Sequence, residues 1–188
     1  MNNQNNHTTN DRMEQALFYC NSLNWNIILI GKDKKPLEEW KQYQTKRITS
    51  ARIKTWFLLY PEAHIAVITG KVSNLTVVDI DPRHNGSYKP FEDISTVKSK
   101  TGGDGYHIFF QYEEGVSNKA GIQQGIDLRS EAGYVILPPS IHKSGKKYEW
   151  ITAPSADFKL PKLPPFIKKL LNKSANTLNQ PVTGIKRY

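Results

Sequence analysis

Cysteine is almost absent from this chain: Cys20 is the one example in 188 residues. No intramolecular disulfide and no site built from several thiolates is available, so a reducing cytoplasm is the expected compartment. Cys20 itself reads as a core residue. Long apolar runs are missing too. No segment approaches the roughly 20 apolar residues that a bilayer span needs, and the polar opening from Met1 to Asn10 lacks a signal-peptide core, so no membrane partner is expected. Acidic residues are outnumbered, 17 against 26 basic ones, for a formal charge of +9. That excess favours a polyanionic partner such as nucleic acid, although membrane-surface proteins share it.

What is present divides into helical and extended patterns. Residues 1–10 read as a disordered tail, and the recurrence of Met13, Ala16, Leu17 and Cys20 predicts a helix over 11–23. An apolar strand from Trp25 to Ile30 and a lysine-rich loop follow. A second helix is expected from Ser50 to Tyr60, capped by Ser50 or Thr49, with Ile53, Trp56, Phe57 and Tyr60 buried. The pattern then becomes extended, with strands expected at His64 to Thr69, Leu75 to Asp81, Tyr106 to Tyr112, Ile126 to Arg129, Tyr134 to Leu137 and Lys147 to Ile151. A short amphipathic helix is expected at Phe166 to Leu171. The organisation is one domain over 11–172 and a polar linker over 173–188.

In Leu75-Thr76-Val77-Val78-Asp79-Ile80-Asp81, side chains alternate across the strand, so Asp79 and Asp81 share the face opposite Val78 and Ile80. At about 4 to 5 Å, two such carboxylates repel by about 3 to 4 kcal/mol at an effective dielectric of 20, which calls for a cation or a proton. Hard oxygen donors suit Mg2+ or Mn2+. Taken alone the motif is weak and reads more often as a solvated strand end, because Asp81-Pro82-Arg83-His84-Asn85-Gly86 is a turn sequence. Gly125-Ile126-Asp127-Leu128-Arg129 repeats the alternation and offers Asp127 as a third carboxylate for a two-ion site. A surface contact between Asp127 and Arg129 is the alternative.

Lys100-Thr101-Gly102-Gly103-Asp104-Gly105-Tyr106-His107 places three glycines before a strand on which His107 and Phe109 share one face, and His107 can donate to a phosphate. A hairpin turn with a structural histidine is the alternative, and the run does not fit a Walker phosphate loop. Beyond Pro138 and Pro139, the donors Ser140, His142 and Lys143 suit a triphosphate or form a polar loop.

Together these segments resemble the primase-polymerase branch of the archaeo-eukaryotic primase superfamily over about residues 14–171. Val78-Asp79-Ile80-Asp81 is similar to its first motif, the glycine-rich stretch ending at His107 to its second, and Ile126-Asp127-Leu128-Arg129 to its third. Gly133-Tyr134 through His142, then Gly145 and Tyr148-Glu149-Trp150, also follow in order.

The resemblance implies an α+β fold, with an RNA-recognition-motif-like antiparallel catalytic sheet packed with an N-terminal α/β unit. It implies a DNA primase/polymerase serving a plasmid, phage or other mobile element. Asp79, Asp81 and Asp127 would bind Mg2+ or Mn2+, and His107 would bind the incoming nucleotide, with Arg129, Ser140 and His142 near its phosphates. Expected partners are nucleoside triphosphates (NTP or dNTP) and a single-stranded DNA template with primer, met by Lys32, Lys34, Lys35, Lys41, Lys98 and Lys100. Trp40 and Tyr88 are the loop aromatics suited to stacking on bases. Many relatives add a helical accessory domain and a helicase, and some insert a zinc-binding stem that one cysteine cannot supply. A metal-dependent nuclease and a non-catalytic nucleic-acid-binding module are the competing classes.

Overall fold

The structure, a computed structural model, describes residues 3–178. Helix α1 (Asn3–Asn21) buries Ala16, Tyr19 and Cys20. It starts well before the predicted residue 11, because its packed half lets the backbone ladder continue back through polar asparagine, glutamine and threonine. The chain turns at Asn24, which holds a positive φ of 58°, into β1 (Asn26–Ile30). Helix α2 (Ser50–Leu59) is capped by Thr49, whose hydroxyl accepts the Arg52 N–H at 3.2 Å, and it buries Ile53, Trp56 and Phe57. Tyr60 is its half-buried C-cap rather than part of the buried stripe.

The remaining strands are β2 (His64–Ile68), β3 (Leu75–Ile80), β4 (Lys98–Lys100), β5 (Tyr106–Gln111), β6 (Lys119–Gln123), β7 (Ile126–Arg129), β8 (Tyr134–Ile136) and β9 (Glu149–Thr152). They make two sheets. The larger runs β6-β7-β3-β5-β4-β9 and is antiparallel throughout; the smaller runs β1-β2-β8. The fold is therefore α+β as the resemblance implies, but its N-terminal unit borrows β8 from far along the chain. Helix α3 (Pro165–Leu178) opens with proline at a position where a missing N–H costs nothing. It is longer than the predicted helix and enters the stretch expected as a linker; residues 179–188 lie outside the described part. No described helix is long and apolar enough to cross a membrane.

Alternation along the large sheet separates two cores. Val78, Ile80, Ile108, Phe110, Ile126 and Leu128 face a cluster completed by Phe91, Leu163 and Ile167. Leu75, Val77 and Phe109 face the small sheet and its helices. The Trp25 and Phe109 rings stack there, 5.7 Å between centroids and 4° between planes, binding one sheet to the other. Burying aromatics of this size contributes about 1.5 to 3 kcal/mol each. Past Val77 and Phe109 this inner core ends and the sheets part into a cleft.

Candidate active site

The cleft receives the residues that follow the core on each strand. Cross-strand register pairs Asp79 of β3 with Asp127 of β7 on one side and with His107 of β5 on the other. Directly opposed residues of antiparallel strands point the same way, so Asp127, Asp79 and His107 form one row. The row continues to Ser99 of β4, which is buried. One step back, Arg129 pairs with Val77 and leans over the row. Its Nη2 donates to Asp127 Oδ2 at 2.8 Å and stands 3.9 Å from Asp79 Oδ2.

Asp79, His107, Asp127 and Arg129 line a pocket of about 680 Å³, together with Asp81, Arg83, Lys34, Trp40, Tyr134 and Tyr148. That size is ordinary for a small-molecule site. His107 forms part of the floor, 5% exposed, with Nε2 3.6 Å from Asp79 Oδ1. Burial, above all, holds its pKa below the usual histidine value, with the Asp79 charge opposing and Arg129 and Lys34 assisting. The ring is neutral at pH 7, and the facing carboxylate favours the tautomer that carries its proton on Nε2. Tyr148 lies beside the rings of His107 and His142, and burial followed by the Asp79 charge pushes its hydroxyl up to about 12.

Asp81 sits just beyond β3 and caps a short 3-10 turn. Its carboxylate is gripped by Arg83, whose hydrogen bonds hold its pKa down at about 2. The facing wall comes from the small sheet and its loops. Tyr134 donates its hydroxyl to the Lys34 carbonyl at 3.1 Å, and its ring meets Trp40 edge-on at 5.2 Å. Lys34 adopts a positive φ of 68°. Partial burial lowers its ammonium pKa, against the pull of Asp79.

Five of the residues predicted from sequence thus share one pocket: Asp79, Asp81, Asp127, His107 and Arg129. Ser140, His142 and Lys143 are not among its lining residues. Ser140 is fully buried behind the small sheet, where it bonds to the Ile65 backbone. The reason is the pairing of β8 with β2, which carries the following loop across the back of that sheet. His142 is buried against Gly102, its Nδ1 2.9 Å from Ser144 Oγ, and Lys143 is exposed. Lys98, expected to meet template, is instead 5% exposed; its ammonium donates to the Glu92 carbonyl at 2.6 Å and lies 5.7 Å from the Tyr88 ring centre. Tyr88 in turn stacks on Tyr106 at 4.2 Å, so it is not a free platform.

Lys34 was foreseen as a template lysine rather than as a pocket residue. Arg83, Tyr134 and Tyr148 were visible only as members of motif segments. Among the described residues, no three histidine, cysteine or acidic side chains are arranged as a ready metal set. The donor chemistry still suits a hard cation: Asp79 and Asp127 are opposed carboxylates about a third exposed, at the spacing of a cross-strand pair, roughly 4.5 to 5.5 Å between Cβ atoms.

No curated protein matches the sequence. A sequence model of the bifunctional DNA primase/polymerase N-terminal domain matches residues 16–166. The match runs through both sheets and across the whole Asp127, Asp79 and His107 row, and the chain therefore belongs to the bifunctional DNA primase/polymerase N-terminal domain family.

Proposed function

We propose that the chain is a template-directed nucleotidyltransferase that extends, and under suitable conditions starts, nucleic-acid chains on single-stranded DNA during replication of a plasmid, phage or other mobile element. Family membership supports a primase/polymerase-type nucleotidyltransferase in general, with DNA and nucleotides as substrates. The observation that carries the finer reading is the cross-strand row: two carboxylates and a neutral imidazole side by side, under an arginine, at the floor of one cleft.

Asp79 and Asp127, joined by Asp81, would hold Mg2+ or Mn2+, which when bound stabilises the charge developing on the attacking and leaving oxygens. The rest falls to the chain's own groups. Arg129 is within reach of the space above both carboxylates and orients a polyphosphate there. His107 donates its Nε2 proton to a phosphate oxygen once that oxygen replaces Asp79 as its neighbour. Lys34 adds positive charge from the opposite wall, so a triphosphate is held from two sides. The primer 3′ oxygen then bonds to the α-phosphorus as the bond from that phosphorus to its bridging oxygen breaks, pyrophosphate leaves with that oxygen, and the hydroxyl proton passes to solvent. Holding the two reactants in line supplies much of the rate.

The test is extension of a labelled primer on a DNA template with Mg2+ or Mn2+ and each nucleotide type, with pyrophosphate measured in parallel. Wild type should extend and release pyrophosphate. Asp79→Asn and Asp127→Asn should each lose at least about 100-fold in rate at an unchanged melting temperature. Cleavage of the primer without pyrophosphate would make the protein a nuclease, and folded variants as active as wild type would remove the carboxylates from the reaction.

A further inference from the structure

Asp81 is the carboxylate of the cleft that an arginine holds through two prongs. Its Oδ1 accepts the backbone N–H of Arg83 at 3.0 Å and the Arg83 Nε–H at 2.9 Å. Its Oδ2 accepts from Arg83 Nη2 at 2.8 Å and lies 3.0 Å from His84 Nδ1. The Arg83 contact is a two-pronged fork, a geometry that lysine cannot reproduce.

The arginine has Asp81 as its main partner, with the Asp104 charge a smaller attraction. Its side chain is 61% exposed and it borders the pocket by lying along Gly103, where an added Cβ would come within 3.4 Å of Nη2, 3.5 Å of Cζ and 3.6 Å of Nη1. A single-bonded counterpart lies on the neighbouring strand of the same sheet. Arg129, also two residues after its acid, donates to Asp127 at 2.8 Å. The segments Asp81-Pro82-Arg83 and Asp127-Leu128-Arg129 thus each close an acid with its own guanidinium. A carboxylate oxygen that accepts such a fork cannot also present the same lone pairs to a cation. A polyphosphate, for its part, is best met by a cation and a guanidinium together. One exchange satisfies both demands.

We propose, on the reading that this cleft takes a nucleoside triphosphate, that Arg83 occupies Asp81 in the nucleotide-free protein and transfers to the incoming polyphosphate as Asp81 turns to a metal ion. Arg83 is then a competitor of the ion and a ligand of the nucleotide. Removing it moves the two affinities in opposite directions, which a merely structural contact does not do.

The full chain is titrated with Mn2+ alone, the free ion being followed by its paramagnetic resonance signal. Arg83→Gln should bind Mn2+ about fivefold more tightly than wild type, the size of effect an exposed ion pair exerts. With Mn2+ saturating, a non-hydrolysable deoxynucleoside triphosphate analogue should bind Arg83→Gln about tenfold more weakly. Arg83→Lys, which keeps the charge but not the fork, should share the tighter Mn2+ binding and regain part of the nucleotide affinity. Mn2+ affinity equal to or below that of wild type overturns the proposal, as does unchanged nucleotide affinity. The double variant Asp79→Asn with Asp127→Asn separates this failure from that of the underlying reading. Mn2+ binding that survives it removes the carboxylate site altogether, whereas its loss there, with Arg83→Gln unchanged in both titrations, removes only the role of Arg83.

Discussion

The hydroxyl of Ser140 accepts the Ile65 N–H at 2.9 Å and donates to the Ile65 carbonyl at 3.2 Å, closing both backbone groups of one fully buried residue in β2. Ser140→Ala leaves the buried Ile65 N–H without that partner, while the carbonyl keeps the Leu137 N–H at 2.9 Å, and should cost about 1 to 3 kcal/mol in chemical denaturation. Nucleotide titration of the same variant should match wild type; weakened nucleotide binding at intact stability would return Ser140 to the phosphate site. His64 borders the same junction, its buried Nδ1 accepting the Ile141 N–H at 3.3 Å. Burial first, then Arg12 and Lys32, hold its pKa below the ordinary 6.5. The folded state thus binds a proton less readily than the unfolded chain, and stability present at pH 7 is lost as pH falls below about 6.5. His107 and His142 are shifted the same way, again chiefly by burial. Melting temperature should therefore fall between pH 7 and pH 5, with a shallower slope in His64→Asn; parallel slopes would remove His64 from the effect.

At the level of elements, the end of β3 is tied to the start of β7 by a close backbone approach. The Asp81 N–H donates to the Gly125 carbonyl at 2.8 Å, and the Gly86 N–H donates to the Asp81 carbonyl at 3.0 Å. Gly125 holds a φ of 65°, and a Cβ there would collide with the Gly86 nitrogen and the Asp81 carbonyl. Gly125→Ala should destabilise by about 1 to 3 kcal/mol and weaken Mn2+ binding by displacing Asp81, both read on the purified variant. A change in stability with metal affinity intact would show that the junction does not place Asp81.

The facing of Asp79, His107 and Asp127 was legible in the sequence because alternation is a local property of a strand and each sits beside apolar residues that declare their side. Strands β4 and β6 were not, since Lys98-Ser99-Lys100 is wholly polar and Lys119–Gln123 carries one large apolar side chain, Ile122, so neither shows an alternating pattern; they become extended by pairing, β4 with β5 and β9, β6 with β7. Lys34 and Tyr148 reach the pocket through tertiary folding from distant loops, which no periodicity records. The one local hint for Lys34 was a charged loop closed by Pro36, consistent with its left-handed backbone.

Across the whole molecule, the charge of +9 includes Lys34 at the pocket wall and exposed Lys32, Lys35, Lys41 and Lys100. If about four phosphates are neutralised, binding of mixed-sequence single-stranded DNA should weaken with a slope near −3 in log affinity against log salt. Base identity should matter little, with Trp40 at the pocket wall as the aromatic placed to stack. Fluorescence anisotropy at several salt concentrations checks this; affinity that stays flat with salt would disperse the lysines into a solubility role.

The small sheet has a consequence for how such a molecule comes into being. Its third strand pairs Ala66 with Ile136, Val67 with Val135 and Ile68 with Tyr134, after the whole row of Asp79, His107 and Asp127 has already been passed along the chain. A protein emerging from the ribosome therefore carries Asp79, His107 and Asp127 before it owns Tyr134, the residue that props Lys34 opposite them. The loop closure that joins them is long-range and correspondingly slow, so an immature chain lacks the facing wall, and the order of translation withholds a complete pocket until β8 has docked.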